Sequence, residues 1–441
     1  MASANGGAPS AALRNPRDAD VGAFARRPRP VTLYCGVQHY AWGDTRFIPG
    51  LLGEPAPADR PCAELWIGAH PDLPAAARLD TGQQVPLDRL IAASPDAVLG
   101  SATTAAFGGE LPFLLKVLAA ATPLSIQVHP NRAEAERGFA HEERLGIPPD
   151  DPRRNYRDRN HKPELLVALT DFHALRGFRP LDEITAELAR FPTLGGLAAM
   201  LDGTADGLRR LYAHFMRLPQ PEVDALLAPV LAACRRRAAD DADPGQARCR
   251  WLLRADALFS VDGQHDRGLL SFLLLNLLHL RPGQAMFLPA GALHSYLSGA
   301  GLELMANSNN VLRGGLTPKH IDVDALLEVL NVDPHEPEIL APTDIAGDAA
   351  LVRYETPAAE FTLQRLRLPR HARRDLTPDA VVLGLVLDGA VTIAAQGQGD
   401  GTGLALEKGG AFLLPAGGRS VIRAERDADL ALATVPASAA A

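Results

Sequence analysis

The sequence predicts a mainly β protein carrying an α-helical insertion, with two β domains of one architecture. Three observations predict it. From about residue 31 to 180 the chain shows short apolar runs, Pro and Gly punctuation and strand alternation. Over 181–260 the period changes: Ile184 and Leu188, then Leu208, Leu211 and Phe215, then Val223, Leu226, Leu227, Val230 and Leu231 recur at helical spacing. Finally, "GQAMFLPAGALH" (283–294) returns far downstream as "GGAFLLPAGGRS" (409–420). A chain of 441 residues is also too long for one ordinary domain. The expected division is a flexible N-terminal extension over 1–30, a first β domain built from 31–180 and 261–324, the helical insertion 181–260, and a degenerate second β domain over 325–441.

Residues 1–30 are rich in Ala, Gly, Pro and Arg and lack the apolar run of a signal peptide, which predicts a mobile extension. Within the first β region, "LSIQVHPN" (124–131) alternates Leu124, Ile126 and Val128 with Ser125, Gln127 and His129. On a strand the polar three share one face. In "NHKPELL" (160–166), Pro163 disfavours helical geometry at Lys162, so Lys162 and Glu164 fall on one face of an extended segment. "LLSFLLLNLLHL" (269–280) is the most apolar run, but it is shorter than the ~20 residues of a membrane span, and it is expected in the core.

Bulk properties narrow the function. A formal net charge of −8 argues against a protein that coats nucleic acid. The cysteines Cys35, Cys62, Cys234 and Cys249 form no C-x-x-C pair, which fits neither a disulfide framework nor a thiolate metal site and suits a reducing cytoplasm.

The repeat concentrates the chemistry. Its copies share Gly283/Gly409, Leu288/Leu414, Pro289/Pro415 and Gly291/Gly417, while His294 in the first stands where Ser420 is in the second. The first copy fits G-x5-P-x-G-x2-H, a motif of the cupin jelly roll, so the two β domains are expected to be cupin-like jelly rolls. Ligand types then gather: Gln127 and His129 on one strand face, Glu164 on a second segment, His294 after the repeated turn. Imidazole and carboxylate are standard Zn²⁺ ligands, and Gln127 would bind through its amide oxygen. Without a thiolate, Mn, Fe, Co and Ni suit the same donors. Each residue also has a plain structural role open to it, and spacing alone does not join three distant segments.

The chain resembles type I mannose-6-phosphate isomerase, the phosphomannose isomerase family. The resemblance rests on "YAWGD" (40–44), "AELWIGAHP" (63–71), "PFLLKVL" (112–118), "LSIQVHPN", "NHKPELLVALTDFHALRGFRP" (160–180), "LPAGALHSYLSG" (288–299) and "ELMANSNNVLRGGLTPKHIDV" (303–323). It implies one zinc ion per chain held by Gln127, His129, Glu164 and His294, the helical block as a family insertion, and a polar row that lines the cleft. It departs from the family at Asn309, where an acid is usual.

The reaction implied is aldose–ketose isomerisation of a small sugar phosphate, mannose 6-phosphate to fructose 6-phosphate, through an enediol(ate). Glu303, an isolated acid in "GLELMA", is the first candidate for the base; Lys162 and His161 are its rivals, and both also suit ring opening or proton relay. Arg313 suits an enediolate or phosphate, and Gly314 and Gly315 would let the backbone approach a ligand. Lys319 is expected at the start of a helix capped by Thr317, where phosphate can sit, with Ser125 adding a hydroxyl. Trp42 and Tyr296 would shape the sugar pocket. A cytoplasmic monomer without nucleic-acid or membrane partners completes the expectation. A cupin oxygenase and a storage cupin are the rival readings; the former needs oxygen and Fe(II), and the latter leaves the His294/Ser420 asymmetry without a purpose.

Overall fold

A computed structural model describes residues 18–437, apart from 58, 241, 242, 244 and 398–402. The architecture is mixed α/β. Two sheets, of eleven and ten strands, are built from antiparallel pairings. Helices are not confined to the insertion: Leu87–Ala93, Pro95–Leu99, Ser101–Phe107 and Arg132–Arg144 interrupt the first β region. Most of these are under two turns long, too short for a helical period to stand out from the neighbouring runs.

The ten-stranded sheet carries the repeated turn's first copy. Its spine is the strand His294–Ala306, which pairs with Phe113–Ala120 on one side and Glu164–Ala168 and Phe172–Phe178 on the other. The eleven-stranded sheet is centred on the pairing of Val382–Ala395 with Ser420–Thr434. It also takes in Val31–Tyr34 from the chain's start, which pairs with Ala411–Leu414. One core joins both sheets: Leu65, Phe113, Leu165, Val167, Leu302 and Leu304 cluster with Phe361, Leu363, Leu383 and Leu413. In each repeat copy the residue after the turn opens a long strand, His294 in one and Ser420 in the other.

The block 181–260 is helical. In Ala205–Arg217 the Thr204 side chain caps the N-terminus by accepting from Gly207, and Leu208, Leu211, Tyr212 and Phe215 form the buried stripe that the i, i+3, i+4 spacing requires. The run 269–280 is core: it passes from the short helix Ser271–Leu274 into the strand Leu275–Leu280, buried along most of its length. No helix among the described residues is long and apolar enough to cross a membrane.

Three local expectations are corrected. Part of the 1–30 segment is a helix, Asp18–Arg26, whose Val21 and Phe24 enter the core; the rest, up to residue 17, lies outside the described residues. The helix after "LTPKH" starts at Val323, capped by Asp322 accepting from Ala325, so Lys319 lies in the preceding turn with Thr317. Gly315, at φ +135, serves a close backbone crossing rather than a ligand: an added Cβ would stand 2.3 Å from the Gly268 Cα. The cysteines also differ from the scatter of the sequence. Cys234 and Cys249, on neighbouring helices, lie buried side by side as free thiols, with 2.8 Å between their sulfurs.

Candidate active site and metal centre

Three of the four expected ligands meet. Donor atoms of His129, Glu164 and His294 lie within 4.8 Å of one another, and all three residues are buried. They arrive from three directions. His129 follows the strand Ile126–Val128; Glu164 opens the strand Glu164–Ala168; His294 opens the spine strand. His129 is followed by a firm helix start, because Asn131 and Glu134 form a reciprocal capping box.

Each imidazole is oriented through Nδ1, by the Asn310 carbonyl at 2.7 Å for His129 and the Ala292 carbonyl at 2.8 Å for His294. A proton on Nδ1 leaves Nε2 as a bare lone pair, and both Nε2 atoms are buried without a hydrogen-bond partner. They face the Glu164 carboxylate, His129 Nε2 at 3.3 Å from Oε1 and His294 Nε2 at 3.5 Å from Oε2. Lone pairs and carboxylate oxygens converging in this way repel one another unless a cation stands among them. Tetrahedral donors about 2.0–2.1 Å from a zinc ion stand ~3.4 Å apart, so the spacing fits that ion. The protonation states agree. Burial and Lys162 hold His129 down to about 4, so it is a neutral ligand at neutral pH. Burial alone would raise Glu164, but Lys162 and His129 hold its carboxyl well below the usual range.

Gln127, half-buried, pairs in register with His294 on one side and with Arg313 on the other, which makes it the cross-strand neighbour of a ligand. His294 also pairs with Arg176, a buried guanidinium whose Nε and Nη1 have no partner. Ser125 is half-buried, just before the strand. Lys162 reaches Glu164 at 3.0 Å, and the buried Tyr296 hydroxyl donates to Glu164 Oε2 at 3.3 Å. Trp42 stacks on Tyr40 and packs on the apolar cluster that contains Tyr296. His161 is turned to Glu360 of the C-terminal half, Nε2 to Oε1 at 2.6 Å.

Glu303 has a partner that the sequence alone does not reveal. Lys116, its opposite number on Phe113–Ala120, lies 3.0 Å away and also 3.5 Å from Glu64, which accepts from the Trp66 indole. Burial raises the Glu303 carboxyl above its ordinary value, with Lys116 opposing and Glu164 adding to the rise. Burial would lower the Lys116 ammonium, but Glu303 and Glu64 outweigh it and raise it, so it stays charged. The signal was visible in "PFLLKVL": one lysine inside a wholly apolar run.

A second missed residue is Arg157. Burial lowers the pKa of Arg313, and the nearby charge of Arg157 lowers it further; Lys319 is lowered by burial and by both arginines. Arg157 and Lys319 are exposed and Arg313 is half-buried; their charges act on one another, and among the described residues none of the three has a carboxylate within ion-pair distance. Cations so placed raise the local positive potential, which attracts anions. Asn309 donates its side-chain amide to Asp72 Oδ2 at 3.2 Å and its backbone N–H to Asp158 Oδ2 at 2.6 Å.

Comparison with known proteins agrees with this geometry. Residues 31–181 match the phosphomannose isomerase type I catalytic domain family. The mannose-6-phosphate isomerase of Salmonella typhimurium is 42% identical over 329 residues, covering 74% of this chain and 80% of that protein. The human mannose-6-phosphate isomerase is 34% identical over 414 residues, covering 88% and 94%. A crystal structure of a zinc-bound holo mannose 6-phosphate isomerase superposes with a TM-score of 0.81 at 33% identity, covering 92% of this chain and 99% of that one.

Proposed function

The chain belongs to the type I phosphomannose isomerase family, and from that membership we infer an enzyme that interconverts mannose 6-phosphate and fructose 6-phosphate with the help of one zinc ion. One observation carries the reading: a buried His–Glu–His set with two unpartnered imidazole nitrogens, in a chain where Arg157, Arg313 and Lys319 have no carboxylate partner among the described residues. A metal site beside a phosphate receptor suits a sugar phosphate.

His129, Glu164 and His294 would hold the ion, with the Gln127 amide oxygen as the fourth donor. When bound, zinc supplies Lewis-acid polarisation of substrate oxygens. The remaining work falls to the chain. Arg313, Lys319 and Arg157 fix the phosphate end, and Ser125 adds a hydroxyl. Arg313, in register with Gln127, borders both regions and faces the charge that grows on the enediolate. Glu303 takes the proton from C2 and returns it to C1; its raised pKa suits a group that must gain and lose a proton near working pH. Lys116, permanently charged, orients that carboxylate rather than acting as a base. Lys162 and His161 serve ring opening, moving a proton between O5 and O1. Trp42 and Tyr296 wall the sugar site and exclude water.

The same proposal covers the finer architecture: cupin-like jelly rolls for 31–180 with 261–324 and for 325–441, around a helical insertion over 181–260. The matched strand openings at His294 and Ser420 support it. A cytoplasmic monomer is the accompanying expectation, with the four free thiols favouring a reducing compartment.

Isomerisation in D₂O tests the chemistry. Proton transfer through an enediol places deuterium at C1 of the fructose 6-phosphate formed in the proportion that the proton on the base exchanges with solvent before its return. Because Glu303 can return the same proton to C1 before it exchanges, the refuting result is a Glu303→Gln enzyme whose isomerisation rate and deuterium uptake are both undiminished.

A further inference from the structure

Glu360 is a buried carboxylate that the isomerase chemistry above does not use. It lies in the turn between the paired strands Asp348–Tyr354 and Thr362–Leu368, remote in sequence from every site residue. Its side chain is only 5% exposed. Oε1 accepts from His161 Nε2 at 2.6 Å and from Arg132 Nη2 at 3.3 Å, while Oε2 is buried without a partner. The two donors belong to the two segments that bring ligands to the metal centre: Arg132 stands three residues after His129, and His161 three before Glu164.

The turn is held firmly. Phe361, next to Glu360, is fully buried in the core shared by both sheets. Tyr354, at the end of the preceding strand, is buried and donates its hydroxyl to the Gly283 carbonyl at 2.9 Å. Burying a carboxylate is costly, and surrounding apolar packing would be served better by an apolar residue. The hydrogen bond also fixes the imidazole. With Nε2 bound to Glu360, the ring has one free nitrogen, Nδ1, which makes no hydrogen bond within the described residues.

We propose that Glu360 is a positioning residue of the isomerase centre: carried by the C-terminal half, it sets the ring of His161 so that Nδ1 is presented to the substrate. The inference rests on the isomerase reading and on the role given to His161. It assigns the C-terminal half more than packing, because the active-site segment 160–164 takes one of its orienting contacts from there.

The test is a double-mutant cycle on the full-length, zinc-saturated enzyme, using Glu360→Gln, His161→Ala and the pair. Glu360→Gln keeps the shape and removes the charge. Orienting groups behind an active-site ligand typically contribute about 10–100-fold. The expected result is a fall of that order in kcat for each single variant, with KM for mannose 6-phosphate within about twofold, and no further loss in the double variant. Glu360→Asp, which keeps the charge, should recover part of the rate. Three results would each overturn the proposal: unchanged kcat in Glu360→Gln, unchanged kcat in His161→Ala, or losses that multiply in the double variant. If Glu360→Gln does not fold, Glu360→Asp against His161→Ala gives the same comparison. An inactive wild-type enzyme would instead reject the isomerase reading itself.

Discussion

Lys116 and Glu303 face each other across two antiparallel strands, with 3.0 Å between Nζ and Oε2 and both side chains more than nine-tenths buried. Glu64 completes the group from the next strand, 3.5 Å from the same ammonium. Removing one partner of such a buried group leaves the other charge uncompensated, at a cost of about 3–5 kcal/mol. Lys116→Met should therefore lower the unfolding free energy by that order and suppress activity. Urea unfolding of the variant measures it; a loss under about 1 kcal/mol would mean that the pair is solvated in solution.

The raised carboxyl of Glu303 gives a pH dependence with a definite sign. A base is active when unprotonated, so kcat/KM should fall as pH is lowered, with its midpoint above the ordinary carboxylate value of about 4.3. Glu303→Gln should lose most of the rate and also this limb. An unchanged limb in a residually active Glu303→Gln enzyme would assign the titration to another group.

The metal centre predicts that Glu164→Ala and His294→Ala each lose zinc, and that the wild type holds one equivalent. Ser420 stands where the repeat's second copy would need its histidine, and His129, Glu164 and His294 are the one such cluster among the described residues. Metal analysis decides both points: stoichiometric zinc in His294→Ala, or a second tightly held ion in the wild type, would contradict the assignment.

Much of this was legible in the sequence, and what was not has physical causes. The repeat could be read because turn chemistry leaves a local imprint of Gly and Pro, and it led to His294. The pairing of Glu303 with Lys116 could not be read, because strand register joins residues 187 apart in sequence. Arg157 escaped for a different reason. It sits among several charged residues in "RRNYRDRN", and only the fold separates a cation facing Arg313 from neighbours such as Arg154, which is used up on Glu142 and Glu143. The glycines at 314 and 315 suggest room for a ligand in the sequence because loss of a side chain does not say what approaches. The short helices of the first β region do not stand out in the sequence because fewer than two turns carry no readable period.

Arg313 separates transition-state from ground-state work. If it faces the enediolate, Arg313→Ala should lower kcat by about 10²–10³-fold with a smaller change in KM. Arg313→Lys keeps the charge without the planar fork and should recover only part. Arg157→Ala and Lys319→Ala, as phosphate anchors, should chiefly raise KM. A pure KM effect in Arg313→Ala would place it among the anchors.

Asn309→Asp exchanges an amide donor for a third carboxylate beside Asp72 and Asp158. Asp72 is 60% exposed, so screening limits the repulsion, and the cost should stay near 1 kcal/mol or below. Turnover should be unchanged within about twofold. A collapse in kcat with the fold intact would give the amide a part in the reaction.

The central claim is tested most directly by a coupled assay for fructose 6-phosphate formation from mannose 6-phosphate, run without oxygen on chelator-stripped enzyme with zinc added back. Activity should be absent after stripping and should return fully with one equivalent of Zn²⁺ per chain. Turnover that persists in the metal-free protein, or that requires oxygen, would contradict a zinc-dependent isomerase built on His129, Glu164 and His294.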